Sequence, residues 1–248
     1  MTLYQSELKY FLRSPVIWLI MSLTAFISAW SFLLSIELFT VLQVKFAGMS
    51  DAPTITQGVI APFISSQAKI LVFITAIIGG LSFARLSHNN GWSLIHLSYF
   101  SEFKLVTQKY FALLLVCLLF ILPSILAVMS LTFISGSQLL PIMMMLLGLL
   151  LLMLWMVALT MMISSFVNNS GFAILLSLIV LMALLLISQS AIGAQWGKNW
   201  LQILSPFYQF FQFSKNTVPL ASLGYFIFGI IIFLWVVKIR IVHKRLVL

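Results

Sequence analysis

Six long runs of apolar residues, each nearly free of charge, limit what this chain can fold into. Only 7% of its 248 residues are charged, whereas a soluble domain carries about a quarter charged residues. A helix of about 20 apolar residues crosses a bilayer. We therefore predict an all-α integral membrane protein in which residues 1–248 form a single transmembrane domain with six helices. The predicted spans are residues 16–38, 69–84, 110–134, 140–167, 172–190 and 221–237.

The positive charges are unevenly divided between the two sides that six spans define. Loops rich in Lys and Arg remain in the cytoplasm. With both termini and residues 85–109 on one side, that side holds nine cations and the other holds four, so we predict that both termini are cytoplasmic. The nine are Lys9, Arg13, Arg85, Lys104, Lys109, Lys238, Arg240, Lys244 and Arg245, and the four are Lys45, Lys69, Lys198 and Lys215.

Residues 1–14 are predicted to form a cytoplasmic amphipathic helix that lies in the membrane interface. At helical spacing, Leu3, Tyr4, Leu8, Phe11 and Leu12 share one side, and Gln5, Lys9 and Arg13 share the other. Glu7 falls on the apolar side. Its carboxylate either reaches water or pairs along the helix, or it forms an ion pair with a cation from residues 85–109.

Residues 85–109 form the only long segment that is both polar and cationic, and they separate two predicted spans. We predict that this cytoplasmic stretch couples the protein to a partner that supplies energy. No ionisable residue is expected near the middle of any span, and the chain has no GxxxxGK[ST] loop and no histidine pair with metal-ligand spacing. We therefore expect no catalytic residue, metal site or cofactor in this chain.

Two further stretches separate other spans. Residues 39–67 are predicted to be a loop, either without helix or with one short helix lying on the membrane, because Gly48, Asp51, Pro53 and Gly58 interrupt the apolar pattern. Residues 191–219 are predicted to be an extracytoplasmic loop whose short helices are re-entrant or interfacial, since dense aromatic residues mark a membrane interface. The residues chosen for that loop are Trp196, Trp200, Pro206, Phe207, Tyr208, Phe210 and Phe211. Gly79 and Gly80 permit either close helix packing or a bend.

The chain resembles the type 2 exporter class of ABC transporter permeases, and within it the gliding-motility-type permeases. The resemblance rests on six spans, the opening SELKYFLRSP, the segment LSPFYQFFQFSKNTVPL before the last span, and the basic C-terminal tail. It covers nearly the whole chain, and the Leu-Ser-Pro block is its most specific part. After the second span, Gly91 takes the family's glycine position, and residues 87–90 stand where acidic residues are typical.

The resemblance implies a permease subunit in a bacterial inner membrane, which dimerises with a second copy or a homologous permease and exports a substrate. Cytoplasmic ABC ATPase subunits would bind ATP and Mg²⁺, and the first, second and fifth spans would face the dimer partner. Because the outer loops are too small to capture a large substrate alone, we also expect an auxiliary extracytoplasmic subunit. The residues expected to couple to the ATPase are Glu7, Arg13, Arg85, His88, Asn89, Asn90, Gly91, Trp92 and Lys104.

Two other functions remain open from the residues alone. A non-transporting membrane anchor, or an assembly subunit of a larger membrane complex, would fit the shortage of intramembrane polar groups equally well. A secondary transporter fits less well, because such proteins use charges and discontinuous helices near the midplane. The apolar spans favour an amphiphile or a lipid-linked molecule as substrate.

Overall fold

The described part of the chain is almost entirely helical and contains six helices that are long and apolar enough to cross a membrane. The computed structural model describes residues 3–45, 54–88, 101–136, 138–193, 203–215 and 219–247. Its helices are α1 (Leu3–Arg13), α2 (Pro15–Lys45), α3 (Ala61–His88, preceded by a π-helical turn at Thr56–Ile60), α4 (Glu102–Ser135), α5 (Leu139–Phe166), α6 (Ser170–Gly193), α7 (Pro206–Gln212, followed by a 3₁₀ turn at Phe213–Lys215) and α8 (Leu220–Val247). The predicted all-α class is thus confirmed, and the number of helices long and apolar enough to span a membrane matches the six predicted spans.

The six long helices alternate in direction. Near α1, the end of α3 contacts the end of α5 through Phe83 and Ser164. The end of α8 contacts the turn after α5 through Lys244 and Asn168. We call this side of the bundle the α1 end. At the opposite end, the turn before α3 packs against the last part of α2. Both described termini therefore lie at the α1 end.

Helices α3 and α5 form the centre of the bundle. Within their most apolar stretches, 72% and 67% of the residues are buried, against 17% for α2, α6 and α8. Gly79 of α3 lies against Thr160 of α5, and a methyl group on Gly80 would come within 2.9 Å of Ile174 Cα in α6. Small residues allow such approach between membrane helices, so the two glycines serve close packing.

The prediction of a loop over residues 39–67 is wrong for most of its length. Helix α2 continues to Lys45, and helical structure resumes at Thr56. Gly58 does not break the helix there; its missing side chain leaves room for the ring of Phe39. Burial of Val59, Ile60 and other apolar side chains against α2 stabilises a segment whose polar residues favour a loop in isolation.

Because helical structure begins at Thr56, earlier than predicted, Lys69 lies inside the second long helix and not at the outer surface. Lys69 lies one residue from the centre of the 29-residue helical stretch Thr56–Ala84. The expectation that no ionisable residue lies near the middle of a span is therefore wrong. The predicted span of residues 69–84 has this lysine at its edge, because the sequence pattern does not reveal the helical turns that precede it.

A closed set of hydrogen bonds joins α2, α3 and α4 inside the bundle. Gln67 Nε2 donates to Ser28 Oγ at 3.0 Å, and Ser124 Oγ donates to Gln67 Oε1 at 2.9 Å. The two serine hydroxyls are 2.8 Å apart. All three side chains are buried, so each polar group is satisfied within the protein, as an apolar solvent demands.

Candidate coupling site and the cleft at the opposite end

Helix α1 is fixed to the bundle at both its apolar face and its C-terminal end. Phe11 is 1% exposed, while Gln5, Lys9 and Arg13 are exposed, as the amphipathic pattern predicts. The helix ends at Arg13, because the next residue, Ser14, precedes Pro15 and a residue before proline is disfavoured in a helix. Trp18 Nε1 then donates a 2.7 Å hydrogen bond to the carbonyl of Leu12. The indole therefore ties the end of α1 to the first turn of α2.

An ion pair joins α1 to α4. Lys109 Nζ lies 2.8 Å from Glu7 Oε1, and the two side chains are 2% and 16% exposed. The same ammonium group lies 4.9 Å from the ring centroid of Phe83 in α3, a cation–π distance. Glu7 thus pairs with a cation from residues 85–109, which confirms the second of the two predicted roles. Three helices meet at this one buried charge.

Lys109 was not among the coupling residues chosen from the sequence. Its position at the start of an apolar run could have identified it, because a cation that is buried there needs a charged or hydrogen-bonding partner. The site therefore contains Glu7, Lys109 and Phe83.

The other predicted coupling residues are distributed differently. Arg13 and Lys104 are exposed, and neither contributes to the Glu7–Lys109 pair. Arg85 belongs to the last turn of α3 and His88 ends that helix. The remaining four, Asn89, Asn90, Gly91 and Trp92, lie outside the described residues.

The basic end of α8 is anchored at the same end of the bundle. The guanidinium of Arg240 lies 5.3 Å from the ring centroid of Phe166, the last residue of α5. Lys244 Nζ is 3.4 Å from Asn168 Oδ1 in the turn between α5 and α6. The basic residues at the end of α8 therefore lie at the same end of the bundle as α1.

At the opposite end, α7 and the 3₁₀ turn are inserted between the long helices. Ser205 caps α7 by accepting a 3.2 Å hydrogen bond from Tyr208 N, and Pro206 occupies the first turn, where its missing N–H costs nothing. Phe213 is fully buried against Gly148 of α5 and Phe226 of α8. The prediction of short helices in residues 191–219 is confirmed for this part.

The residues predicted for that loop differ in how deeply they are buried. Pro206, Phe207 and Phe210 are buried, whereas Tyr208 and Phe211 are partly exposed. Trp196 and Trp200 lie outside the described residues. The segment is held by Tyr225, whose hydroxyl donates to the carbonyl of Leu204 at 3.0 Å, and by a 2.7 Å bond from Ser222 Oγ to Gln209 Oε1.

Two adjoining cavities open beside this segment, with volumes of about 260 and 400 Å³. Both are lined by Gln57, Met145 and Ser214, and the smaller also by Ser65 and by Phe210 and Phe211. We call these two cavities together the cleft. Sequence reasoning missed it, because part of its wall, Thr56 and Gln57, belongs to a helical turn that was predicted to be a loop.

The cleft lining is apolar with neutral hydroxyl and amide groups, a combination suited to binding rather than to covalent chemistry. Among the described residues, no group of three or more His, Cys, Asp or Glu side chains is placed to hold a metal ion. The sequence matches no protein-family model, and the comparison with curated proteins finds no significant match.

Proposed function

We propose that this chain is the membrane-spanning permease subunit of an ATP-driven ABC transporter. In this proposal two permease copies associate in the membrane and bind separate cytoplasmic ATPase subunits, which supply ATP and Mg²⁺. The transporter moves its substrate outward. The chain itself performs no catalysis.

The observation that carries the proposal is the buried Glu7–Lys109 pair. A partner that pushes on α1 acts directly on α4 through this pair, and on α3 through the ring of Phe83. Helix α3 is in turn packed tightly against α5 and α6 at Gly79 and Gly80. A displacement of α1 is therefore transmitted to a rigid group of helices, which is how domain motions open and close binding sites.

The charge distribution supports a cytoplasmic location for the α1 end. Moving Lys69 into the span reduces the four cations assigned to the opposite side to three, Lys45, Lys198 and Lys215, against nine at the α1 end. The excess of positive charge on the predicted cytoplasmic side therefore increases. On this orientation α1 and residues 85–109 face the ATPase, and the cleft faces outward.

The poorly buried helices support association with a second copy. Helices α2 and α6 are the first and fifth spans, and 17% of their most apolar stretches is buried within one chain. Exposed side chains such as Trp30 and Ile179 give them an apolar surface for lipid or for a partner. The second span contributes less, because α3 is mostly buried and offers only one outward face.

Purification in mild detergent, followed by mass spectrometry, tests the proposal. We expect an ABC ATPase to accompany the full-length chain, and we expect its ATP turnover to change when the chain is removed. If the stable partners all lack a nucleotide-binding site, the chain is a membrane anchor or assembly subunit instead.

A further inference from the structure

Lys69 is an exposed cation at the middle depth of the bundle. It lies one residue from the centre of the helical stretch Thr56–Ala84. Its position relative to α2 indicates the same depth. The neighbouring Gln67 is hydrogen-bonded to Ser28, which lies one residue from the centre of the α2 stretch Pro15–Gln43. In the described part of the chain, Lys69 forms no hydrogen bond or ion pair.

None of the described carboxylates lies at this depth. Glu7 pairs with Lys109, and Glu102 begins α4 at the same α1 end. Glu37 is two residues from Phe39, whose ring contacts Gly58 at the opposite end. Lys69 is therefore not the buried half of an intramolecular pair among these residues.

The outward face of α3 connects Lys69 to the cleft. Pro62, Ser65 or Ser66, Lys69 and Phe73 follow one another at helical spacing and are exposed or partly exposed, whereas Ala68 and Leu71 are buried. Ala61, Pro62 and Ser65 line the smaller cavity. Lys69 thus lies one helical turn deeper than the cavity wall.

A lysine facing lipid at this depth is unfavourable. The hydrocarbon core is roughly 30 Å thick, so the nearest interface is about 15 Å away, farther than a lysine side chain reaches. Ionisable residues inside membranes accordingly face water-filled cavities or charged partners. The position of Lys69 therefore requires water or an anion beside α3.

We propose that the outward face of α3 lines a hydrated path that continues from the cleft, and that Lys69 binds the anionic head group of an amphiphilic substrate there. The inference rests on the proposed function in one respect: the second permease copy forms the opposite wall. Neutral hydroxyls such as Ser65 contact the head group. The aromatic side chains of the cleft contact the apolar part of the amphiphile.

Water beside Lys69 is tested by thiol labelling of the full-length chain in proteoliposomes. Cys117 is the only cysteine and is buried, so Cys117→Ala provides the background. In that background, Lys69→Cys is compared with Ile232→Cys, which replaces an exposed side chain near the middle of α8. A membrane-impermeant methanethiosulfonate should label position 69 at least about tenfold faster, because thiols react as hydrated thiolates. Equal, slow labelling at both positions would overturn the hydrated path.

Anion binding is tested with Lys69 present and a reporter one turn away. Ser65→Cys is labelled in phosphatidylcholine liposomes with and without phosphatidylglycerol, and separately with inorganic phosphate in solution. We expect phosphatidylglycerol to slow labelling several-fold, and phosphate to have little effect. The slowing should disappear with Lys69→Met and persist with Lys69→Arg.

Lys45→Met is the matched control, because Lys45 is an exposed lysine at the end of α2. Both lysine variants experience the same lipid surface charge, so the ratio of their labelling rates isolates the role of position 69. If Lys69→Met leaves the slowing intact, or if phosphate protects as well as the lipid does, an amphiphile is not bound there. Neither assay involves an ATPase, so failure of the proposed function is recognised separately, by the absence of such a partner on purification.

Discussion

Breaking the Glu7–Lys109 pair should destabilise the protein more when Glu7 is replaced than when Lys109 is replaced. Glu7→Ala leaves the Lys109 ammonium with 2% of its side chain exposed and without its carboxylate. Removing one partner of a buried pair costs about 3–5 kcal/mol, and we expect about 3 kcal/mol because Phe83 still contacts the cation. Lys109→Met leaves Glu7, which is 16% exposed and retains contact with water, so that loss should be about 1–2 kcal/mol.

The asymmetry predicts the behaviour of the double variant. Glu7→Ala combined with Lys109→Met removes the stranded charge, so it should be no less stable than Lys109→Met alone. Intrinsic fluorescence of the seven tryptophans gives the melting temperature in detergent. In a domain of this size 1 kcal/mol corresponds to about 2–4 °C, so Glu7→Ala should lower the melting temperature by roughly 6–12 °C.

Lys9→Ala provides the control, since Lys9 is exposed on the other side of α1. A surface change of this kind should alter stability by less than about 0.5 kcal/mol. The reasoning is refuted if Glu7→Ala is no more harmful than Lys9→Ala. It is also refuted if the two single effects simply add in the double variant, because additivity means that the residues are not coupled.

Three further changes test the packing of the bundle by the same melting measurement. Gly80→Ala should destabilise the protein by about 1–3 kcal/mol, because the methyl group meets the backbone of α6. In the control Gly224→Ala, the methyl group enters open space, so the change should be neutral or stabilising. Equal effects of the two changes would contradict the close approach of α3 and α6. Gln67→Leu should cost about 1–2 kcal/mol, since it breaks two hydrogen bonds that average about 0.6 kcal/mol each in membranes and strands their serine partners. Phe213→Ala should cost about 3–5 kcal/mol and increase protease access to residues 203–215; unchanged melting would show that this segment is not embedded.

The six spans and the place of Glu7 follow from local sequence. Apolar runs of membrane length need no tertiary information, and helical spacing alone puts Glu7 on the buried face of α1. A carboxylate on that face needs a cation, which limits the choice to the nearby basic residues. Selecting Lys109 among them requires the fold, because the two residues are 102 positions apart.

The helix before Lys69 could not be predicted in the same way. Gly58 and the polar residues around Gln67 are unfavourable in an isolated helix. In the bundle Gly58 admits the ring of Phe39, and Gln67 bonds to serines 39 and 57 positions away. Such long-range contacts decide the boundary of α3, and with it the depth of Lys69.

The rate of ATP hydrolysis by the purified complex is the most direct test that α1 and residues 85–109 couple this protein to an ATPase. Complexes carrying Glu7→Ala, or a replaced 88–91 segment, are compared with wild type and with Lys9→Ala. We predict that the first two still bind the ATPase but lose the dependence of its turnover on this subunit, while Lys9→Ala retains it. Unchanged ATP turnover and transport in folded Glu7→Ala and 88–91 variants would contradict the coupling role.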